Sequence, residues 1–244
     1  MYIMKSLLLL SILVYNLNMQ AQSLQGSWKL AAENGKAVTG KEVIRIYADS
    51  YFTEGAKDPE SNEFLWARGG EYHKKDDQVR IDFNTKQEKP SAALIAHKIQ
   101  FEEENSFSIK HGETNQKWIR VSGNKNELSG NWVITGRERN GEMNQLKPGD
   151  RRTIKMLGGD RFQWVAFNSA TGEFFGTGGG TYIAKDGKYV ENIEFFSRDA
   201  SRVGASLDFK YKVENGNWIH SGKSSKGDPI KEIWSPYAEA YSRN

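Results

Sequence analysis

The chain repeats itself, and no other feature limits its fold so tightly. Leu24-Gln25-Gly26-Ser27-Trp28-Lys29-Leu30 returns as Leu128-Ser129-Gly130-Asn131-Trp132-Val133-Ile134, which places the second tryptophan about 104 residues after the first. Val43-Ile44-Arg45-Ile46 then pairs with Thr153-Ile154-Lys155-Met156. With one residue deleted, Phe64-Leu65-Trp66-Ala67-Arg68-Gly69-Gly70-Glu71-Tyr72 pairs with the run from Phe175 to Tyr182. Three blocks in one order, at nearly one spacing, point to a single unit used twice. The polar stretch from Ser122 to Glu127 is the expected junction, giving units over 22–122 and 128–237.

Each unit reads as strands. In the first, Gly26–Ala32, Glu42–Tyr47, Tyr51–Glu54, Phe64–His73, Gln78–Phe83, Ala92–Phe101, Phe107–Lys110 and Lys117–Val121 carry alternating or aromatic-rich patterns. Ala48-Asp49-Ser50, Lys74-Lys75-Asp76-Asp77 and Glu103-Glu104-Asn105 supply the turns. Asp186-Gly187 and Asn215-Gly216 do so in the second unit. Helical periodicity is nowhere sustained. Eight successive antiparallel strands leave two bare edges unless they close on themselves. The expected fold is therefore all-β, with two tandem eight-stranded up-and-down barrels.

The first residues stand outside this plan. Met1–Lys5 is weakly basic, Ser6–Val14 is apolar, and Met19-Gln20-Ala21 offers a small residue for cleavage. The apolar run falls short of the roughly 20 residues that span a bilayer. Residues 1–21 thus read as a secretory signal, with the mature protein expected in the periplasm or secreted. The chain has no cysteine, so an exported fold here relies on burial and not on disulfides. Loss of Lys5 with the signal takes the net charge from +3 to +2, and the basic residues are dispersed. A nucleic-acid footprint is absent, and no membrane span is expected.

Gly-x-Trp opening the first strand, with Arg120 on the last, resembles the lipocalin-like (calycin) barrels. In those proteins the tryptophan closes the floor and the arginine packs across it. Trp28 and Arg120 fit that pair. In the second unit Trp132 is present, but Trp234 falls where the arginine is expected. The resemblance implies a cup for a small ligand.

Metal and nucleophile signals are weak. His73, His97, His111 and His220 lie on different strands without paired-ligand spacing, and no Gly-x-Ser-x-Gly elbow occurs. Gly176-Thr177-Gly178-Gly179-Gly180 lacks the Lys-Ser/Thr and helix of a phosphate loop, and reads as a bent, bulged strand. No cofactor is called for.

Two rows carry more information. Ile95, His97, Ile99 and Phe101 share the more apolar strand face, and Phe209 is the counterpart of His97 in the second unit. His97 is either a hydrogen-bonded core histidine or a polar group set into a ligand cavity, where burial tunes it for acid–base work. Phe64, Trp66, Arg68, Gly70 and Tyr72 share another face. Turned inward, Arg68 calls for an anion, and a guanidinium among aromatic rings suits an acidic sugar. Turned outward, it is an ordinary solvated side chain. Arg198, with Asp199 and Arg202, lies in a loop where barrels often hold ligands.

In overall plan the chain also resembles small exported proteins of polysaccharide-degrading bacteria, a group that includes dehydratases acting on terminal uronic acids. That resemblance implies a lyase in which Arg68, helped by Trp66 and Arg198, binds the uronate. His97 takes the C5 proton and Tyr72 assists the departing C4 hydroxyl. The alternative is a non-catalytic barrel that binds a small apolar or sugar ligand. The second unit, rich in Phe162, Trp164, Phe174, Phe195 and Phe209, is expected to have the greasier interior.

Overall fold

The computed structural model describes residues 23–73, 75–86, 94–147, 149–224 and 226–241. The signal region and Ala92 lie outside them. The first sheet contains β1 (Gly26–Glu33), β2 (Lys36–Ala37), β3 (Glu42–Ala48), β4 (Tyr51–Lys57), β5 (Phe64–His73) and β6 (Gln78–Asn84). It continues with β7 (Leu94–Ala96), β8 (Lys98–Glu103), β9 (Ser106–His111) and β10 (Thr114–Ser122). The second holds β11 (Gly130–Arg139), β12 (Glu142–Gln145), β13 (Arg151–Gly158), β14 (Arg161–Asn168) and β15 (Phe174–Lys185). After it come β16 (Lys188–Phe196), β17 (Ser206–Glu214), β18 (Asn217–Lys223), β19 (Pro229–Pro236) and the one-turn helix α1 (Tyr237–Ala240).

Both sheets are antiparallel and follow chain order. In the second, β19 pairs back onto β11, so eight strands close into a barrel with β12 as an appendage. In the first, β1 pairs with β10, and the path runs from β7 round to β8. Those two ends are consecutive in the chain and meet at His97. The expected strand Ala92–Phe101 is thus broken there, its first half pairing with β6 and its second with β9. This barrel is nearly closed. Among the described residues no helix is long and apolar enough to cross a membrane.

The register sharpens the repeat and corrects it in two places. Arg45 faces Glu54, which faces Arg68. In the second barrel Lys155 faces Trp164, which faces Gly178. The same alignment puts Phe64 against Phe174, not Phe175, and Tyr72 against Tyr182, so no residue is deleted. Trp234 is the counterpart of Trp118 and not of Arg120: Trp132 pairs with Pro236, whereas Trp28 pairs with Arg120. The glycine run bends as its composition suggests, with a bulge between Gly179 and Gly180 matching one between Gly69 and Gly70. A Cβ at Gly70 or Gly180 would collide with the carbonyl of Arg80 or Asn192, so glycine is needed at each bulge.

Arg120 lies over the Trp28 ring at 4.0 Å and donates to the carbonyls of Gln25 and Ser23. It pins the N-terminal segment across the barrel floor. Arg120→Ala removes a cation–π contact and two hydrogen bonds at a half-buried site. A loss of about 2 kcal/mol in urea unfolding is expected; a variant as stable as the parent would show that the floor closes without it.

Three apolar clusters form the core: one inside each barrel and one between them. The middle cluster joins Ile46, Ala67 and Phe83 of the first barrel to Ile154, Val165 and Phe167 of the second. Phe64 leaves its expected inward row because β5 carries an extra residue, Leu65, where Ala56 and Lys57 oppose Trp66 and Phe64. Its ring instead stacks on Phe174 and Phe195, at 6.3 and 6.1 Å.

Candidate ligand site in the first barrel

The inward row of each strand follows from alternation. On β3 it reads Val43, Arg45, Tyr47; on β4, Phe52, Glu54, Ala56; on β5, Trp66, Arg68, Gly70, Tyr72. Arg45 and Glu54 are almost wholly buried, and Arg68 is one-quarter exposed. Both guanidinium groups bond to the Glu54 carboxylate, Arg45 through Nε and Nη2 and Arg68 through Nε. Arg45 also donates to Tyr47 Oη at 2.9 Å and lies 4.3 Å from the Trp118 ring centre.

Burial would raise the Glu54 pKa, but Arg45 and Arg68 overcome this and hold it down at about 2. Two fixed cations therefore share one carboxylate, and this cluster carries one positive charge in excess. Trp66 stands beside it, 5.7 Å from Arg68 and 4.3 Å from Lys86 Nζ at the rim.

His97 points inward and is 3% exposed, as its row implies. Its backbone N–H donates to the Asp77 carbonyl, its ring lies 5.3 Å from that of His111, and its Nδ1 has no hydrogen-bond partner among the described residues. Burial first, then Arg45 and Arg68, push its pKa down to about 3, so the ring is neutral at pH 7.

Tyr72 shares the inward row, and its ring lies 5.7 Å from that of Tyr47, the residue that accepts from Arg45. It lies four residues from Arg68, about 13 Å along the strand, and its hydroxyl donates to Asp77 Oδ1. Its pKa is raised, chiefly by burial. Arg198 is exposed in the second barrel, beside Gly176 and Trp164. The structure thus sets Trp66, Arg68, His97 and Tyr72 on the inner face of the first barrel, with Tyr72 and His97 both hydrogen-bonded to Asp77, and leaves Arg198 on the other barrel.

The aromatic interior expected of the second barrel is there in part: Phe162 and Phe209 lie in its core with Trp164 packed against it, whereas Phe174 and Phe195 turn towards Phe64, and the same core also holds charged groups. Lys155, the counterpart of Arg45, bonds Glu191 at 2.5 Å, and Tyr189 donates to the same oxygen. Its ammonium sits 5.2–5.9 Å from the rings of Trp234, Trp218, Tyr189 and Phe162. Glu232 contacts His220 at 3.0 Å and Arg137 at 2.6 Å. Lys155 and Arg137 thus meet Glu191 and Glu232, and the charges balance.

Arg45, Glu54, Lys155, Glu191 and Glu232 were missed by sequence reasoning. The signal was parity: Arg45 shares a face with Val43 and Tyr47, and Glu54 with Phe52 and Ala56. Comparison with known families adds one finding. Residues 127–240 are similar to a domain of unknown function, DUF4488. The match starts one residue before Leu128 and spans the second barrel, so the DUF4488-like unit coincides with one copy of the repeat. A comparison with curated proteins gave no match.

Proposed function

We propose that the chain is an exported protein that takes a small acidic saccharide into its first barrel. The observation that carries this reading is the cluster of Arg45, Arg68 and Glu54, with its unbalanced positive charge beside Trp66. A ligand carboxylate completes the charge balance, and the indole offers an apolar face to the sugar ring. The Trp28–Arg120 floor supports a lipocalin-like cup.

Arg68→Gln leaves Arg45 and Glu54 as a balanced pair while removing the excess cation. Calorimetric titration with glucuronate and galacturonate oligosaccharides should show binding that weakens at least tenfold in this variant, about 1.4 kcal/mol. Carboxyl-reduced forms of the same sugars should not bind. Equal affinity for acidic and reduced sugars would sink the reading, as would no binding at all.

The free Nδ1 of His97 favours a second reading, β-elimination at the bound uronate. Burial keeps the His97 ring neutral, and neutralising Arg68 with the ligand carboxylate removes one of the lesser causes that oppose its protonation. The ring then accepts the C5 proton, the C5–H electron pair forms the C4–C5 double bond, and the C4 hydroxyl departs with a solvent proton as water. Tyr72, turned towards Asp77, stands aside from this step. A product lighter by one water, absent with His97→Ala, is the outcome this reading expects. Unchanged substrate after prolonged incubation leaves a binding protein only.

A further inference from the structure

A second crevice lies where the barrels meet, with a volume of about 450 Å³. The β3–β4 turn, the end of β5 and the start of β6 supply one side, β11 the other, and α1 the wall. Pockets at the contact of two packed domains are common ligand sites, because neither surface is shaped by its own core alone.

Its chemistry differs from that of the first barrel. Tyr51, Tyr237 and Tyr241 form an aromatic wall with ring centres 5.4 and 5.2 Å apart; Tyr51 and Tyr237 are almost wholly buried, and Tyr241, which also meets Arg152 at 3.9 Å, is its partly exposed end. Asp49, Glu71 and Arg80 bring acceptors and donors to the same space. Arg80 ion-pairs with Glu71 at 2.7 Å and Asp82 at 3.1 Å, His73 lies 3.7 Å from Glu71, and Arg152 is engaged by Tyr237 and Tyr241, so the cationic groups around the crevice already have partners. Asn131, on the second barrel, is 3% exposed and has a side-chain oxygen without a hydrogen-bond partner among the described residues. A buried acceptor of this kind asks for a donor from outside the chain.

We infer that this crevice binds a neutral glycosyl unit through its aromatic wall and the groups around Asp49 and Asn131. A sugar offers hydroxyls that donate and accept, and C–H faces that pack on tyrosine rings. An anion meets the carboxylates of Asp49 and Glu71. The inference goes beyond the reading of the first barrel and does not depend on it.

The test is titration of the isotopically labelled full chain with neutral trisaccharides of glucose, galactose, mannose and xylose, followed by NMR. Amides of Asp49 and Asn131 should shift with at least one of them. Tyr241→Ala, with native-like dispersion of the remaining signals, should weaken that binding at least tenfold. Asp49→Asn keeps a residue that tolerates the left-handed conformation at this turn (φ 55°) and should weaken it several-fold. The Arg68→Gln protein should bind the neutral sugar as the parent does, which separates this site from the first barrel. No shift with any of the four sugars overturns the inference. So does unchanged affinity in both variants, or a crevice that responds to uronates in preference to neutral sugars.

Discussion

Glu54→Gln is expected to destabilise the protein by about 3–5 kcal/mol at neutral pH, the usual range for breaking a buried ion pair from one side. Glu54 is fully buried, and it is the carboxylate that both Arg45 and Arg68 bond. Glutamine keeps the shape and loses the charge, which strands Arg45 at 1% exposure among Tyr47, Phe52 and Trp118. Burial opposes its charge, and in the parent Glu54 first and Tyr47 second outweigh that burial; the variant removes the larger support, and the intrinsic basicity of arginine keeps the stranded group charged.

The pH dependence has a definite sign. The folded pKa of Glu54 lies at about 2, below its ordinary 4.5. Its contribution is therefore complete above pH 4.5 and fades as the pH falls towards 2. Urea unfolding of parent and variant should differ most at neutral pH and converge in acid. A difference under 1 kcal/mol at pH 7 would mean that water, not Glu54, satisfies the two guanidinium groups.

Much of this architecture was written in the residues. Trp28 and Trp132 begin equivalent strands because each closes a barrel floor, and each donates its indole N–H to a leucine carbonyl four residues earlier. Alternation turned His97 inward and put Arg68 and Tyr72 on one face without deciding which way it points, and the repeat set Phe209 opposite His97, as the register has it. Bulges were the first obstacle. A residue inserted in one strand changes which face its successors occupy, so Phe64 and Phe83 reach the contact between barrels despite the parity of their neighbours.

Long-range pairing was the second obstacle. Arg45 and Glu54 are nine residues apart, and Lys155 and Glu191 thirty-six. Isolated charges in a strand read as solvated until the register brings them together. Trp234 was misassigned for the same reason: it pairs with Ile134 as Trp118 pairs with Leu30, a register that no spacing reveals. The site suffered more than the fold, because a fold needs only the pattern of faces, while a site needs the atoms that meet across them.

His97→Phe, which copies the second barrel, should make the protein more resistant to acid. The folded pKa of His97 is about 3 against an ordinary 6.5, with burial the largest cause. Arg45 on β3 and Arg68 on β5 add to this, His111 on β9 acts in the same sense, and Glu54 on β4 opposes them. The unfolded chain therefore takes up the proton first. Above pH 6.5 the histidine imposes no such penalty. Below it the folded state loses about 1.4 kcal/mol for each pH unit until the pH nears 3, which amounts to about 2 kcal/mol at pH 5.

Phenylalanine at this position has a structural precedent in Phe209, which packs against Tyr189 and His220 with ring centres 5.9 and 4.9 Å away. Urea unfolding at pH 7.5 should separate parent and variant by less than about 1.5 kcal/mol, the scale of a volume-conserving core exchange. At pH 5 the balance should move about 2 kcal/mol further in favour of phenylalanine. His97 is the only ionisable group altered, so the acid-sensitive contributions of Glu54, His220 and Glu232 cancel in the comparison. A gap that stays constant between the two pH values would place His97 in contact with water or an acid, and would remove the neutral imidazole on which the elimination chemistry depends.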